Sequence, residues 1–224
     1  MADKETLLIL RLEGTLQAWG EMSKWDSRDS ADIPTKSGII GLLGCALGLE
    51  RGDPVLRQLN DAVTLAVRAD RAGLRAADFQ TVTGSPLRTA EGKRKSGGDT
   101  IISRRTYLQD ACFTVFLKAS EEWITRLQTA LISPKWPVFL GRKSCVPSRP
   151  VFESIVSDYA SLEDAVRRYP LAERASFPVL YETESESPGL GTHLRPDRII
   201  SGSRDFALRR VWRGSAEEDL DVSD

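Results

Sequence analysis

The sequence predicts an α+β chain, and three stretches carry that prediction. Thr6 to Leu12 (TLLILRL) is a compact apolar run with β character, closed by Gly14. Ala111 to Lys118 (ACFTVFLK) is the clearest strand pattern, dense in β-branched and aromatic residues. Directly after it, Glu121 to Ile132 spaces Trp123, Ile124, Leu127 and Leu131 at helical intervals.

The remaining elements follow in chain order. Ile33-Pro34-Thr35-Lys36-Ser37-Gly38 leads into a glycine-dotted helix reaching Leu49, with Thr35 or Ser37 available as N-cap. Arg51-Gly52-Asp53-Pro54 breaks that helix, and Pro54 to Asp61 reads as a short second one. Val63 to Ala69 alternates in part and is expected to be a strand. The first 150 residues therefore read β-α-β, a long interruption, then β-α. This is the order of a ferredoxin-like or RNA-recognition-motif-like sheet with helices on one face. The interruption, Thr83 to Thr100 (TGSPLRTAEGKRKSGGDT), holds four glycines, a proline and the cluster Lys93-Arg94-Lys95. It cannot supply a packed core and is expected to be a mobile or extended insertion. Beyond Pro150 the chain turns polar and broken, with a short helix near Ser161 to Tyr169 and a loop from Glu182 to Pro196. A final strand or hairpin is expected over Ile199 to Val211, so residues 151–224 read as a small, mainly β C-terminal region.

Composition removes several classes of function. The 224 residues are 41% hydrophobic with a formal net charge of −1, too apolar and too balanced for a disordered chain. No apolar run approaches the roughly 20 residues of a membrane-spanning helix. The longest, Ile39 to Leu49, is interrupted by Gly41, Gly44 and Gly48. The first residues, Met1-Ala2-Asp3-Lys4-Glu5, lack a secretory layout, so a cytoplasmic protein is expected. Cys45, Cys112 and Cys145 are odd in number and far apart, which argues against a disulfide scaffold or a zinc site.

The near-neutral total conceals an asymmetry. Arg71 to Arg149 holds 14 basic and 6 acidic residues, a local balance of +8, against −9 elsewhere. The acidic share includes the tail Glu217-Glu218-Asp219-Leu220-Asp221-Val222-Ser223-Asp224. A basic middle between acidic flanks permits a polyanion site, although solvated surface gives the same pattern.

Catalytic chemistry is poorly supplied. The sole histidine, His193, has no carboxylate or nucleophile at motif spacing, and no catalytic residue, cofactor or metal ligand set stands out. RNA cleavage without histidine leaves Tyr107 with Lys143 formally open. Binding chemistry is better represented. Lys36-Ser37-Gly38 precedes a helix, but without the leading glycines of a triphosphate loop. It fits either a single-phosphate site at a helix N-terminus or an ordinary capped core helix. Leu140-Gly141-Arg142-Lys143-Ser144-Cys145, between Pro134, Pro137, Pro147 and Pro150, is a stiffened basic loop led by glycine. Such a loop can approach and grip a sugar-phosphate backbone. Ser103-Arg104-Arg105-Thr106-Tyr107 adds guanidinium and aromatic surfaces for unpaired bases. Together these segments favour single-stranded RNA.

The same segments carry a resemblance. Leu8-Ile9-Leu10-Arg11-Leu12-Glu13-Gly14 with Leu16-Gln17-Ala18-Trp19-Gly20 is similar to the N-terminal signature of the Cas-Five family, in its CasD-like type I-E branch. The likeness continues through Pro34-Thr35-Lys36-Ser37-Gly38 and Gly41-Leu42-Leu43-Gly44. It resumes at Arg105-Thr106-Tyr107-Leu108-Gln109-Asp110-Ala111, Phe139-Leu140-Gly141-Arg142-Lys143-Ser144-Cys145 and Pro150-Val151-Phe152. It covers residues 6 to 152 in family order and carries no residues beyond about 155. It implies a RAMP-superfamily fold: an RNA-recognition-motif-like domain over 1–150, a thumb inserted at about 80–110, and a small C-terminal part. It further implies a non-enzymatic subunit of the CRISPR surveillance complex Cascade that caps the complex and holds the CRISPR RNA 5′ handle. Partners implied are CasC-type backbone subunits, a CasA-type large subunit and, through the assembled complex, target DNA. In related type I-C systems a family member cleaves the precursor RNA, which is the alternative activity. Carried over by motif, Lys36, Ser37 and Gly38 would present a helix N-terminus to a handle phosphate. Gly141, Arg142, Lys143 and Ser144 would wrap the handle, Arg105 would reach it near a kink, and Gln17 and Trp19 would shape the cleft. Core packing competes for Trp19. Lys93, Arg94 and Lys95 of the thumb match no family motif and could meet guide, DNA or solvent.

Overall fold

The computed structural model describes residues 5–22, 24, 26–84, 87–88, 92–93, 100–175, 179–185, 189–200 and 206–215. Arg94, Lys95, most of the glycine-rich insertion and the acidic tail lie outside these residues.

The elements run β1 (Glu5–Glu13), β2 (Leu16–Gln17), β3 (Ser27–Arg28), α1 (Lys36–Leu47), α2 (Pro54–Ala62), β4 (Thr64–Arg71), β5 (Leu74–Thr83), β6 (Thr100–Gln109) and β7 (Cys112–Lys118). They continue with α3 (Glu121–Ile132), β8 (Phe152–Tyr159), α4 (Leu162–Arg168), β9 (Leu180–Thr183), β10 (Gly191–Ile199) and β11 (Phe206–Ser215). A seven-stranded sheet has the order β10-β11-β9-β4-β7-β1-β8. Within it, β8-β1-β7-β4 pair antiparallel with α1 and α3 as the connecting helices, which is the ferredoxin-like arrangement the sequence predicts. Strand β8 is the fourth member that the sequence reading lacked. Its residues are mostly half-buried at the sheet edge, so no clean alternation marks it.

Both helix starts are written in the sequence. Thr35 accepts from the Gly38 N–H and Ser120 from the Trp123 N–H, each as N-cap. Helix α1 ends at Gly48, whose φ of 72° is a left-handed C-cap. Leu8, Leu10, Leu12, Val67, Phe113 and Val115 on one face of the sheet pack against Ile39, Ile40, Leu43, Ile124 and Leu127 of the helices. On the opposite face α4 covers Leu7, Ile9, Ala66 and Phe116. There Asp70, fully buried, neutralises Arg11 at 2.5 Å and Arg68 at 2.6 Å, and also accepts from Thr114 and the Ala172 N–H.

The interruption is bounded by two strands. β5 and β6 pair through ten consecutive residues, from Leu74↔Gln109 to Thr83↔Thr100, with no register shift. This hairpin belongs to a second, small sheet in which β2 and β3 also pair with β6. The chain after residue 150 supplies β8 to one edge of the large sheet and β9–β11 to the other. The strand or hairpin expected over Ile199 to Val211 is a hairpin, with β10 ending at Ile199 and β11 starting at Phe206, and its first strand takes in part of the loop expected over Glu182 to Pro196. A register shift between Arg195 and Arg198, around Pro196, breaks the alternation that would mark β10 in the sequence.

Candidate nucleic-acid interface

Three motifs far apart in the chain meet at one cleft of about 1270 Å³. Its walls include Ala18 to Glu21 after β2, Ser37, Gly38 and Gly41 on α1, and Trp136, Phe139, Gly141, Lys143 and Val146 from the loop before β8. Arg28 of β3, the α1–α2 turn at Arg51 to Pro54, and Ile199, Ile200 and Phe206 at the facing ends of β10 and β11 add to it.

The glycine loop is built to close tolerances. Leu140 N–H donates to the Cys145 carbonyl at 2.8 Å, Cys145 N–H to the Arg142 carbonyl at 2.8 Å, and Ala18 N–H to the Leu140 carbonyl at 3.1 Å. Gly141 has a φ of 86°, and a Cβ placed there would overlap the Ala18 carbonyl oxygen. Glycine alone satisfies both conditions. Lys143 and Ser144 are exposed on the turn so formed. Lys143 faces the cleft: burial raises the Cys45 thiol pKa, while the Lys143 ammonium pulls it the other way.

Arg142, expected to wrap RNA, is bound inside the protein. Its guanidinium donates to the carbonyls of Thr106 at 3.0 Å, Arg28 at 3.1 Å and Asp29 at 3.0 Å. It also lies 4.5 Å from the centre of the Tyr107 ring. The side chain thus staples the glycine loop to β6 and to the end of β3. Replacing it with glutamine removes this cross-link, worth about 2–4 kcal/mol for several charge-assisted bonds and a stacked ring. Amide exchange should accelerate together in residues 139–145 and 104–107, and a variant protected as the parent in both segments would contradict the staple.

Three further expectations are corrected in the same way. Gln17 is fully buried and donates to the Leu12 and Ala111 carbonyls at 3.0 and 2.8 Å, so its side chain ties β1 to the start of β7 inside the protein. Trp19 is 1% exposed, and its indole N–H donates to the Gln17 side chain at 3.1 Å. It lines the cleft only as its floor, with Gly38 packed so closely on the ring that a Cβ there would come within 2.9 Å of it. Lys36 is 6% exposed. Its ammonium donates to the Val63 carbonyl at 2.7 Å and pairs with Glu184 at 2.9 Å.

The first turn of α1 is also occupied. Asp197 accepts the Lys36 N–H at 2.8 Å, and Thr35 accepts the Gly38 N–H at 3.2 Å. A carboxylate of this chain therefore sits where a phosphate was expected. Ser37, half-buried on the cleft wall, is what that segment still offers a ligand.

Two charge populations result. Three arginines of the C-terminal hairpin are neutralised: Arg195 by Glu182 at 2.6 Å and Glu21 at 2.9 Å, Arg209 by Asp197 at 2.7 Å and Glu184 at 3.3 Å, Arg213 by Glu182. Burial works against the Arg209 charge, yet its bonds to Asp197 and the nearby glutamates raise its pKa above the usual value. At the thumb base and glycine loop the reverse holds. Among the described residues, Arg28, Arg105, Arg142 and Lys143 have no carboxylate within ion-pair distance. Arg105 is half-buried on β6, and Lys93 is exposed near the hairpin tip. Arg28 and Trp136 are cleft residues that sequence reasoning missed. Arg28 is hidden between Asp26 and Asp29, whereas an aromatic between Pro134 and Pro137 was a usable signal.

Among the described residues no group of metal-ligating side chains occurs, and no helix is long and apolar enough to cross a membrane.

The family model described as CRISPR-associated protein (Cas_Cas5) matches residues 7–212. The CRISPR system Cascade subunit CasD of Escherichia coli (strain K12) is 34% identical over 223 residues, covering 92% of this chain and 94% of that protein. A chain of a solved CRISPR RNA-guided surveillance complex superposes with a TM-score of 0.72 at 31% identity, covering 93% of this chain and 89% of its own. A crystal structure of a Cas protein gives 0.68 at 32% identity and 94% of both chains.

Proposed function

The chain belongs to the CRISPR-associated Cas5 family, and from that premise we propose that it is an RNA-binding structural subunit of a type I-E Cascade complex. In this reading it anchors and caps the CRISPR RNA 5′ handle for antiviral defence in the cytoplasm. The ferredoxin-like sheet β4-β7-β1-β8 with α1 and α3 is the RNA-recognising unit, the β5–β6 hairpin the core of the thumb, and β9–β11 a brace for the cleft wall. Backbone subunits of the CasC type and a large subunit of the CasA type are its protein partners, and target DNA meets it through the assembled complex.

The observation that carries this reading is the cleft itself. It gathers exposed Lys143 and the half-buried Arg28, neither of them in an ion pair among the described residues, around an aromatic and aliphatic floor. That combination suits a single strand, whose phosphates need cations and whose bases need apolar faces.

The alternative is a metal-independent endoribonuclease acting on precursor CRISPR RNA. Its candidate pair is Tyr107 with Lys143, but Tyr107 is 5% exposed beneath the Arg142 guanidinium. A phenol so placed is poorly positioned to meet a ribose hydroxyl, which supports binding over cleavage. Incubating the protein with labelled repeat RNA in chelator separates the two. Retention of intact RNA, weakened at least tenfold by Lys143→Glu through loss and reversal of one phosphate contact, is the expected result. Specific cleavage abolished by Tyr107→Phe would establish the enzyme instead. Unchanged binding by Lys143→Glu would leave only a protein-interaction role.

A further inference from the structure

The short strand β3 pairs parallel with β6 so that Ser27 lies beside Arg104 and Arg28 beside Arg105. Paired residues of adjacent strands share a face, so two arginine side chains leave neighbouring backbone positions on one face of the small sheet. Like charges placed directly opposite destabilise a strand pair. Proteins ordinarily relieve such a pair with a carboxylate, and the nearest candidates are engaged elsewhere. Asp78 is paired in register with Arg105, yet its carboxylate accepts from Gln80 at 2.7 Å. Asp29, adjacent to Arg28, accepts the N–H groups of Glu21 and Met22 at 3.4 and 2.8 Å. Among the described residues Arg105 has one side-chain hydrogen bond, Nε to the Ser103 hydroxyl at 3.4 Å, and no carboxylate within ion-pair distance. Arg28 forms no side-chain hydrogen bond or ion pair among the described residues. Both side chains are half-buried, so water screens their repulsion incompletely.

The surroundings narrow the ligand. Arg28 opens into the cleft that holds Lys143, while the Arg142 guanidinium, bound only to carbonyls and the Tyr107 face, adds a third positive charge behind it. The acidic residues on the cleft wall are Glu21, already paired with Arg195, and Asp53, which caps α2 by accepting the Val55 N–H. Two adjacent guanidinium forks match the oxygens of one tetrahedral phosphodiester.

We propose that Arg28 and Arg105 bracket a single phosphodiester of the bound strand, an anion subsite at the junction of thumb base and cleft. The subsite rests on the RNA-binding reading above and names a contact residue, Arg28, that lies outside every sequence motif. The anion stabilises an arrangement that the free protein holds under repulsion, so the pair is a binding device and not a folding one.

The test measures anisotropy of labelled single-stranded repeat RNA over a salt series with the full chain, for the parent and for Arg28→Gln, Arg105→Gln, Arg28→Lys and Lys143→Gln. Each glutamine variant at the pair should lose affinity several-fold and flatten the logarithmic salt slope by about 0.7, the value for one phosphate on a single strand. A variant combining Arg28→Gln with Arg105→Gln, measured alongside, should lose less than the product of the singles, because both groups serve one phosphate. Arg28→Lys should restore the slope. The thermal midpoint of free Arg28→Gln should equal or exceed the parent's. Parent-like affinity and slope in Arg28→Gln, with Lys143→Gln weakened, would overturn the subsite and leave the RNA reading standing. Loss of midpoint together with affinity would make Arg28 a folding residue and overturn it equally. Salt-independent binding by the parent would remove the RNA reading itself, and the subsite with it.

Discussion

Gly141→Ala should abolish stable RNA retention and destabilise the protein by ~2–5 kcal/mol. Two physical terms add at this position. A side chain at a φ of 86° carries left-handed strain of about 1–2 kcal/mol. The new Cβ also meets the Ala18 carbonyl, which is backbone and cannot swing away. The hydrogen bond from Ala18 to Leu140 must then lengthen or break, and the loop that presents Lys143 lifts from the cleft wall. Gly92 is the matched control, since its φ of 80° is similar but nothing lies within 4 Å of a Cβ there. Gly92→Ala should show only the strain term and bind RNA normally. Thermal denaturation and RNA anisotropy on the two variants decide the matter, and equal behaviour would mean that the close approach to Ala18 has no consequence.

Asp197→Ala should be the most damaging change in the C-terminal hairpin. The Asp197 carboxylate is 1% exposed, accepts the first N–H of α1, and holds Arg209 by two bonds at 2.8 and 2.7 Å. Removing one member of a buried pair strands the other, at ~3–5 kcal/mol. For a chain of this size that lowers the thermal midpoint by on the order of 10 °C. Asp197→Asn keeps an acceptor for the Lys36 N–H and should recover part of the loss. The functional consequence is indirect. Helix α1 carries Ser37, Gly38 and Gly41 to the cleft, so a loosened first turn should weaken RNA binding even though Asp197 lies beneath the surface. A midpoint within 2 °C of the parent would contradict the proposed brace, being less than ~1 kcal/mol for this size of chain.

These two residues mark the boundary of what the sequence could say. The ferredoxin-like core was legible because its signals are local: a capping threonine three residues before Gly38, the helical spacing of Trp123, Ile124, Leu127 and Leu131, a dense apolar run in β1 and β7. Gly141 was legible too, because a glycine leading a basic, proline-flanked loop has few other uses. The ionic bracing was not. Lys36 and Ser37 look like a phosphate-binding pair in sequence, but the partners that claim Lys36, Glu184 and Asp197, lie 148 and 161 residues downstream. Arg142 looks like a phosphate ligand for the same reason, and its carbonyl partners on β3 and β6 are 114 and 36 residues away. A basic residue's type indicates that it will find electrons. Only the fold decides whether they belong to a phosphate, a carbonyl or a buried carboxylate.

Charge distribution acquires a more specific meaning on the same argument. The net charge of −1 combines arginines already neutralised in the C-terminal hairpin with a set at the thumb base and glycine loop that is not. The second set is the part of the charge available to RNA.

Photo-cross-linking of thiouridine-substituted CRISPR RNA in the reconstituted complex tests the central claim most directly. With adducts located by mass spectrometry, the account predicts cross-links on this subunit within residues 136–146, at Ser37 to Gly41 and around Arg28, on RNA that stays uncleaved. Adducts confined to the outer face of β10 and β11, or RNA cut by this subunit alone, would contradict it.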